Sequence, residues 1–264
     1  MKSSALSRTH SKTQLLVNAG LMIAISMVLK LIFELYIPLG GLPSLRINLT
    51  SIPIMFSGIV FGPLVGFIVG FLSDLLCFFI KPSGPYFLGF TIASGFVGLI
   101  PGFLWIILKK HPVKYLNWIN LIFVLLFTCF MLYTNLFSYE NFILSFSGKP
   151  IHPLILLLMI CILIGYVIFP FFSQRYIHNS GSALYLNNLF FMVNVSQLIT
   201  SVFLNTIFLT ALYGQAIMVL LPGRLISNLF LVPLYTSLLI SVLNVIPKDL
   251  KMRILYDDKD GSVL

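Results

Sequence analysis

Apolar residues run along this chain in long unbroken stretches, separated by short breaks that carry proline, glycine or basic residues. At roughly 20 residues per bilayer crossing, about eight segments emerge. They are Leu15 to Ile37, Ile47 to Val60, Leu64 to Ile80, Tyr86 to Leu108, Trp118 to Phe137, Leu154 to Phe172, Ala183 to Leu212 and Ala216 to Ile246. A barrel strand would alternate apolar and polar positions over roughly ten residues. The runs here are continuous and longer, as in Leu154 to Phe172. Backbone in hydrocarbon must satisfy its own N–H and C=O groups, and such runs do so as helices. The pattern predicts an all-α, polytopic membrane protein. The second segment is short and holds Pro53, so it crosses with strong tilt or incompletely; the last two are long enough to tilt or to extend past the bilayer.

Composition agrees with the pattern. Hydrophobic residues are 59% of 264 and charged residues only 9%, with a mean hydropathy of +1.04. A soluble domain carries roughly 25% charged residues. The net charge of +9 raises the question of nucleic acid. The cations flank the apolar spans, however, as the positive-inside rule requires, and no nucleic-acid role is expected. With the N-terminus inside, Lys2, Arg8, Lys12, Lys109, Lys110, Lys114, Arg175 and the C-terminal Lys248, Lys251, Arg253 and Lys259 face the cytoplasm. Outside lie the loop residues Lys81 and Lys149, with Lys30, Arg46 and Arg224 near outer helix ends. The expected organisation is a cytoplasmic tail at 1–14, one transmembrane domain at 15–246 and a second cytoplasmic tail at 247–264. The polar, basic start of the chain lacks a secretory leader's cleavage site. Cys77, Cys129 and Cys161 occur singly within apolar runs and read as buried thiols, with neither a disulfide framework nor a metal site.

Ionisable groups inside spans are expensive, so each needs a reason. Asp74 follows Gly62, Gly66 and Gly70 at a spacing of four, which places a glycine stripe and a carboxylate on one helix face. Glycine permits close helix approach, and the carboxylate requires a donor, either from a neighbouring helix or from a ligand. Lys30 and Glu34 are four apart and are expected to neutralise each other in part. Arg46 opens the second span, and Arg224 lies in the last, one turn before Asn228. Neither arginine has an acidic partner nearby in sequence, so each either snorkels to the interface or binds an anionic ligand. Asn194, Gln197, Ser201 and Asn205 form one polar stripe, suited to helix–helix contact or to a cavity. The segment Lys81 to Phe90 combines two prolines, Gly84, a cation and Tyr86, Phe87 and Phe90. These aromatics either anchor at the interface or stack on a flat ring.

No phosphate-binding glycine loop, HExxH or glycine-flanked serine with a partner histidine is present. No catalytic residue and no cofactor is expected, and the chain is read as a non-enzyme.

The stretch from Leu45 to Phe103 resembles the folate-family substrate-binding (S) components of energy-coupling factor (ECF) transporters. The resemblance rests on Phe61-Gly62-Pro63, the Gly66/Gly70/Asp74 face and the Pro82 to Thr91 motif. Pro222 to Leu239, with Arg224, Asn228 and Pro233, looks like that family's last helix. The resemblance implies a six-helix core that captures a vitamin on the outer side. Its partners would be a transmembrane coupling subunit and two cytoplasmic ATPases that supply the ATP hydrolysis. Small residues of the first helix, here Ala19, Gly20 and Ala24, would dock on the coupling subunit. For a folate-like ligand, Asp74 would accept hydrogen bonds from the pterin, and Tyr86, Phe87 and Phe90 would pack its ring. Arg46 and Arg224 would bind carboxylates, with Asn205 and Asn228 as further contacts. The Pro38 to Gly41 segment and the Lys81-bearing loop would close over the site. The chain departs from the family in two extra spans within about 112–178. Competing readings are an S component for another vitamin, a proton-coupled carrier using Asp74, and a membrane scaffold that uses no ATPase partners.

Overall fold

A computed structural model describes residues 2–39, 42–82, 85–110, 182–214 and 217–245, together with 145–146, 149–150 and the single positions 119, 122, 164 and 168. These fall into two compact units, one within Met1–Glu34, Asn48–Lys110 and Ser241–Leu264, the other within Leu35–Ile47 and His111–Ile240.

The first unit is built from α1 (Lys2–Phe33), α2 (Ser51–Phe61), α3 (Pro63–Ile80) and α4 (Leu88–Lys110). Pro53 lies in the first turn of α2, where its missing N–H breaks no helical hydrogen bond. The helix ends at Gly62, whose φ of +97° is open to glycine but strained for other residues. A Cβ there would meet nothing within 4 Å, so backbone conformation, not space, makes the requirement. Pro63 then opens α3 at a position where its fixed φ suits a helix start. At 11 residues α2 is about 16 Å long, well short of a hydrocarbon core of about 30 Å. Nine of its residues are nonetheless buried, from Ser51 to Ile59.

Helices α2, α3 and α4 meet through glycine. A Cβ on Gly66 would lie 2.6 Å from the Gly58 Cα and 2.8 Å from the Gly98 carbonyl oxygen. One on Gly102 would lie 2.5 Å from the Gly58 oxygen, and Cβ atoms on Gly58, Gly70 and Gly98 would overlap facing carbonyls outright. The obstacles are backbone atoms, which cannot rotate aside. Helices can approach this closely only where side chains are absent. Around the junction lie Ile54, Met55, Val69 and Ala93, all at most 2% exposed. Helix α1 differs: only 6% of its Thr13–Phe33 span is buried, against 50% for Leu88–Leu108 of α4.

The second unit begins with an antiparallel hairpin, β1 (Leu35–Leu39) and β2 (Leu42–Ile47), with Tyr36 opposite Arg46 and an irregularity between Ile37 and Leu39. This corrects two expected boundaries. The first helix does not reach Ile37, and Arg46 stands on a strand, not at a helix start. Pro38 and Pro43 exclude a helix interior here, and Gly40-Gly41 is a hairpin-turn sequence. A second short pairing joins β3 (Ser145–Phe146) to β4 (Lys149–Pro150). Farther along come α5 (Ser182–Gln197), a π-helical segment (Leu198–Leu204), α6 (Asn205–Tyr213) and α7 (Ile217–Val245), of which the part from Ser241 belongs to the first unit. Gly214, at φ +64°, closes α6 with a left-handed cap, its N–H donating to the Thr210 carbonyl.

Five stretches among the described residues are long and apolar enough to cross a membrane: Thr13–Phe33, Pro63–Ile80, Leu88–Leu108, Leu186–Tyr213 and Ser227–Val245. The protein is therefore a helical, polytopic membrane protein. The two additional spans expected at 118–137 and 154–172 lie almost wholly outside the described residues.

Candidate functional site

In the first unit a polar chain crosses three elements. Asp74 sits on the glycine face of α3, one turn beyond Gly70. Its Oδ1 accepts from Lys30 Nζ of α1 at 2.7 Å, and its Oδ2 accepts from Thr91 Oγ of α4 at 3.0 Å. The Thr91 hydroxyl lies 3.5 Å from the Tyr86 hydroxyl. Thr91 has one proton; having given it to Asp74, its oxygen can accept from Tyr86. The Tyr86 ring packs on Phe78 at 4.9 Å between centroids, tilted by 54°. Phe78 is one turn beyond Asp74, so Gly66, Gly70, Asp74 and Phe78 form one stripe.

The ion pair is mostly covered, with the Lys30 and Asp74 side chains 12% and 17% exposed. Such a pair neutralises its own charge, which permits it to sit at this depth. An ionised carboxylate offers about four lone-pair positions. Lys30 and Thr91 each occupy one, which leaves acceptor capacity for a ligand N–H.

Beyond the local neutralisation expected between Lys30 and Glu34, the Lys30 ammonium reaches Asp74 on another helix. Lys30 and Thr91 are the site residues that sequence reasoning missed. Thr91 closes the Pro82 to Thr91 motif, which was the available signal; nothing in the sequence links Lys30 to a residue 44 positions away. Of the expected aromatics, Tyr86 joins the polar chain, while Phe87 and Phe90 pack on each other at 5.6 Å and 65°. Lys81 is exposed at the end of α3, its backbone N–H donating to the Cys77 carbonyl.

The remaining candidates belong to the second unit. Arg224 of α7 donates from a terminal guanidinium nitrogen to the Ser201 carbonyl at 2.6 Å, within the π-helical segment. Asn228, one turn on, is 8% exposed, and neither atom of its side-chain amide has a hydrogen-bond partner. The Oδ1 of Asn188 and the hydroxyl of Thr206 are also buried without a partner. Of the expected stripe, Asn194 and Gln197 are buried and Asn205 is half-buried. The π turn falls between Gln197 and Asn205 and widens the helix, so a spacing of four no longer keeps a strict face there. Arg46 occupies β2 opposite Tyr36. On α1, Gly20 and Ala24 are exposed and Ala19 is half-buried; a Cβ on Gly20 would meet nothing within 4 Å. Among the described residues no cluster of His, Cys, Asp or Glu could hold a metal ion.

A multi-pass helical fold with a short buried helix and an embedded polar cluster defines a polytopic membrane protein that holds charged groups among its helices. Residues 10–152, just over half of the chain, match the family of the ECF-type riboflavin transporter, S component, and the chain belongs to that family. It is similar to the folate transporter FolT of Clostridium novyi (strain NT), 39% identical over 98 residues. That match covers 37% of this chain and 56% of the relative, so it spans little more than half of the relative's length. The crystal structure of FolT bound with folic acid superposes with a TM-score of 0.51 at 16% identity, covering 88% of this chain and 93% of that one. At that identity the likeness concerns the fold.

Proposed function

We propose that this protein is the substrate-capture subunit of an ATP-driven ECF vitamin importer, and that its substrate is folate or a related pterin. The observation that carries the reading is the Asp74 carboxylate, fixed by two donors and set one turn before the Tyr86–Phe78 ring pair. A pterin presents an amino group beside a ring N–H on a flat heterocycle, and a carboxylate with spare lone pairs complements that edge. Support comes also from the family and from the similarity to a folate transporter. In this reading both termini are cytoplasmic, Arg46 and Arg224 meet the ligand's carboxylates, and the uncovered Gly20 and Ala24 dock on a coupling subunit that works with two ATPases. The chain itself hydrolyses nothing.

The test is equilibrium binding of radiolabelled folate to the purified protein and to Asp74→Asn, Arg46→Ala and Arg224→Ala. Unchanged affinity in all three variants would sink the site. Riboflavin is the second reading, favoured by the family's description. It carries a flat ring but no carboxylate. Displacement of folate by unlabelled riboflavin at comparable concentration, together with indifference to both arginine substitutions, would establish it. Co-purification with a coupling protein and two ATPases separates either vitamin from a carrier or scaffold that works alone.

A further inference from the structure

We propose that Lys30 is a positioning residue of the substrate site, holding the Asp74 carboxylate from α1 so that its free lone pairs face a paired N–H donor edge of the ligand. This inference rests on the reading of Asp74 as a substrate contact. A lysine near a helix end ordinarily extends its stem along apolar surface and takes its ammonium to water. Lys30 does the reverse, turning inward with only 12% of its side chain exposed. Ser26, one turn earlier on α1, is fully buried, so the two mark the face that α1 turns to its unit. Little else of its Thr13–Phe33 span is buried.

A carboxylate held by one donor can rotate about that contact. Asp74 is held at one oxygen by Lys30 and at the other by Thr91, from two different helices, and this fixes the plane of the group. Thr91 is 1% exposed and has little room to follow a displaced partner. The orientation therefore depends on Lys30. Placing a group before the ligand arrives lowers the ordering cost of binding. The helix that presents Gly20 and Ala24 is thereby also a wall of the site.

The test measures folate affinity and thermal stability separately in four variants: Lys30→Met, Lys30→Arg, Asp74→Asn and the exchange Lys30→Asp with Asp74→Lys. The expected result is a loss of affinity of about tenfold or more in Lys30→Met, the scale of one charge-assisted hydrogen bond. Lys30→Arg should retain most of the affinity. The exchange should recover melting temperature without recovering binding, because the carboxylate would then sit on the wrong helix. If Asp74→Asn weakens binding while Lys30→Met lowers only the melting temperature, Lys30 is a structural pin; the inference fails and the proposed site stands. Recovery of both properties by the exchange overturns the inference as well. If Asp74→Asn binds folate normally, the reading of Asp74 as a substrate contact is wrong and the inference falls with it. Should Lys30→Met not accumulate, Lys30→Gln carries the same expectations.

Discussion

In the first unit the covered carboxylate of Asp74 is gripped by Lys30 and Thr91, and the helices around it touch backbone to backbone through Gly58, Gly66, Gly70, Gly98 and Gly102. In the second unit the guanidinium of Arg224 rests on a main-chain carbonyl of a π-helical turn, and the amide of Asn228 is buried with no partner at either end. A satisfied network in a glycine junction is stiff, because neither side chains nor backbone can yield without overlap. A buried orphan amide leaves about 1–3 kcal/mol of desolvation uncompensated within the protein. Groups left in that state commonly mark a place where another molecule completes the hydrogen bonding or where strain serves function. The first unit thus holds its ion pair in a close-packed backbone junction, although the Ser26 and Thr50 hydroxyls there are buried without a partner, whereas the second buries a whole amide with no partner at either end.

The contrast is most easily broken at the glycine junction. Gly98→Leu drives a side chain into the backbone of α3 and should cost more than about 3 kcal/mol. The expected outcome is loss of monodisperse protein in size-exclusion chromatography; a well-behaved variant would show that the junction is looser than its contacts. Asp74→Asn comes next, with folate affinity reduced by about tenfold or more and the melting temperature lowered, because the covered Lys30 ammonium loses its counter-charge.

Arg224 and Asn228 sharpen the other side of the comparison. Arg224→Ala removes a charge-assisted hydrogen bond to the π turn and should lower stability by about 1.5–3 kcal/mol, read as a drop in melting temperature without ligand. Asn228→Leu should be neutral or stabilising by up to about 2 kcal/mol, since it deletes two unsatisfied buried atoms. If Asn228 serves the ligand, the same variant should lose the thermal shift that folate confers on the parent. A destabilised Asn228→Leu protein would mean that the amide is satisfied after all, and the contrast between the units would dissolve. The smallest effect on stability is expected from Gly20→Leu, within about 1 kcal/mol, because the position opens onto free space. Its readout is co-purification with the coupling subunit, which should fall while folate binding stays unchanged.

Much of the first unit was legible from residue spacing. Gly66, Gly70 and Asp74 at intervals of four announced a close-packed face ending in a carboxylate, and Phe61-Gly62-Pro63 announced a helix break. The hairpin was less legible. Leu35 to Ile37 and Ile47 count into the adjacent apolar spans and the segment between them reads as a loop, so its prolines and paired glycines mark the break but not the strand pairing. The π turn left no mark at all, since LITSVFL contains neither proline nor glycine.

Sequence by itself determined that this chain lives in a membrane as helices, where its breaks fall, and which few polar residues need an explanation. Those properties follow from hydrocarbon length, backbone hydrogen bonding and side-chain volume, all of which act locally. Tertiary structure decided which partners those residues take. Lys30 has a carboxylate four residues away in sequence and another 44 away, and only the packing of α1 on α3 places the distant one at 2.7 Å. An ion pair depends on separation in space, and a chain folded through a glycine junction sets that separation with contacts that no local interval encodes.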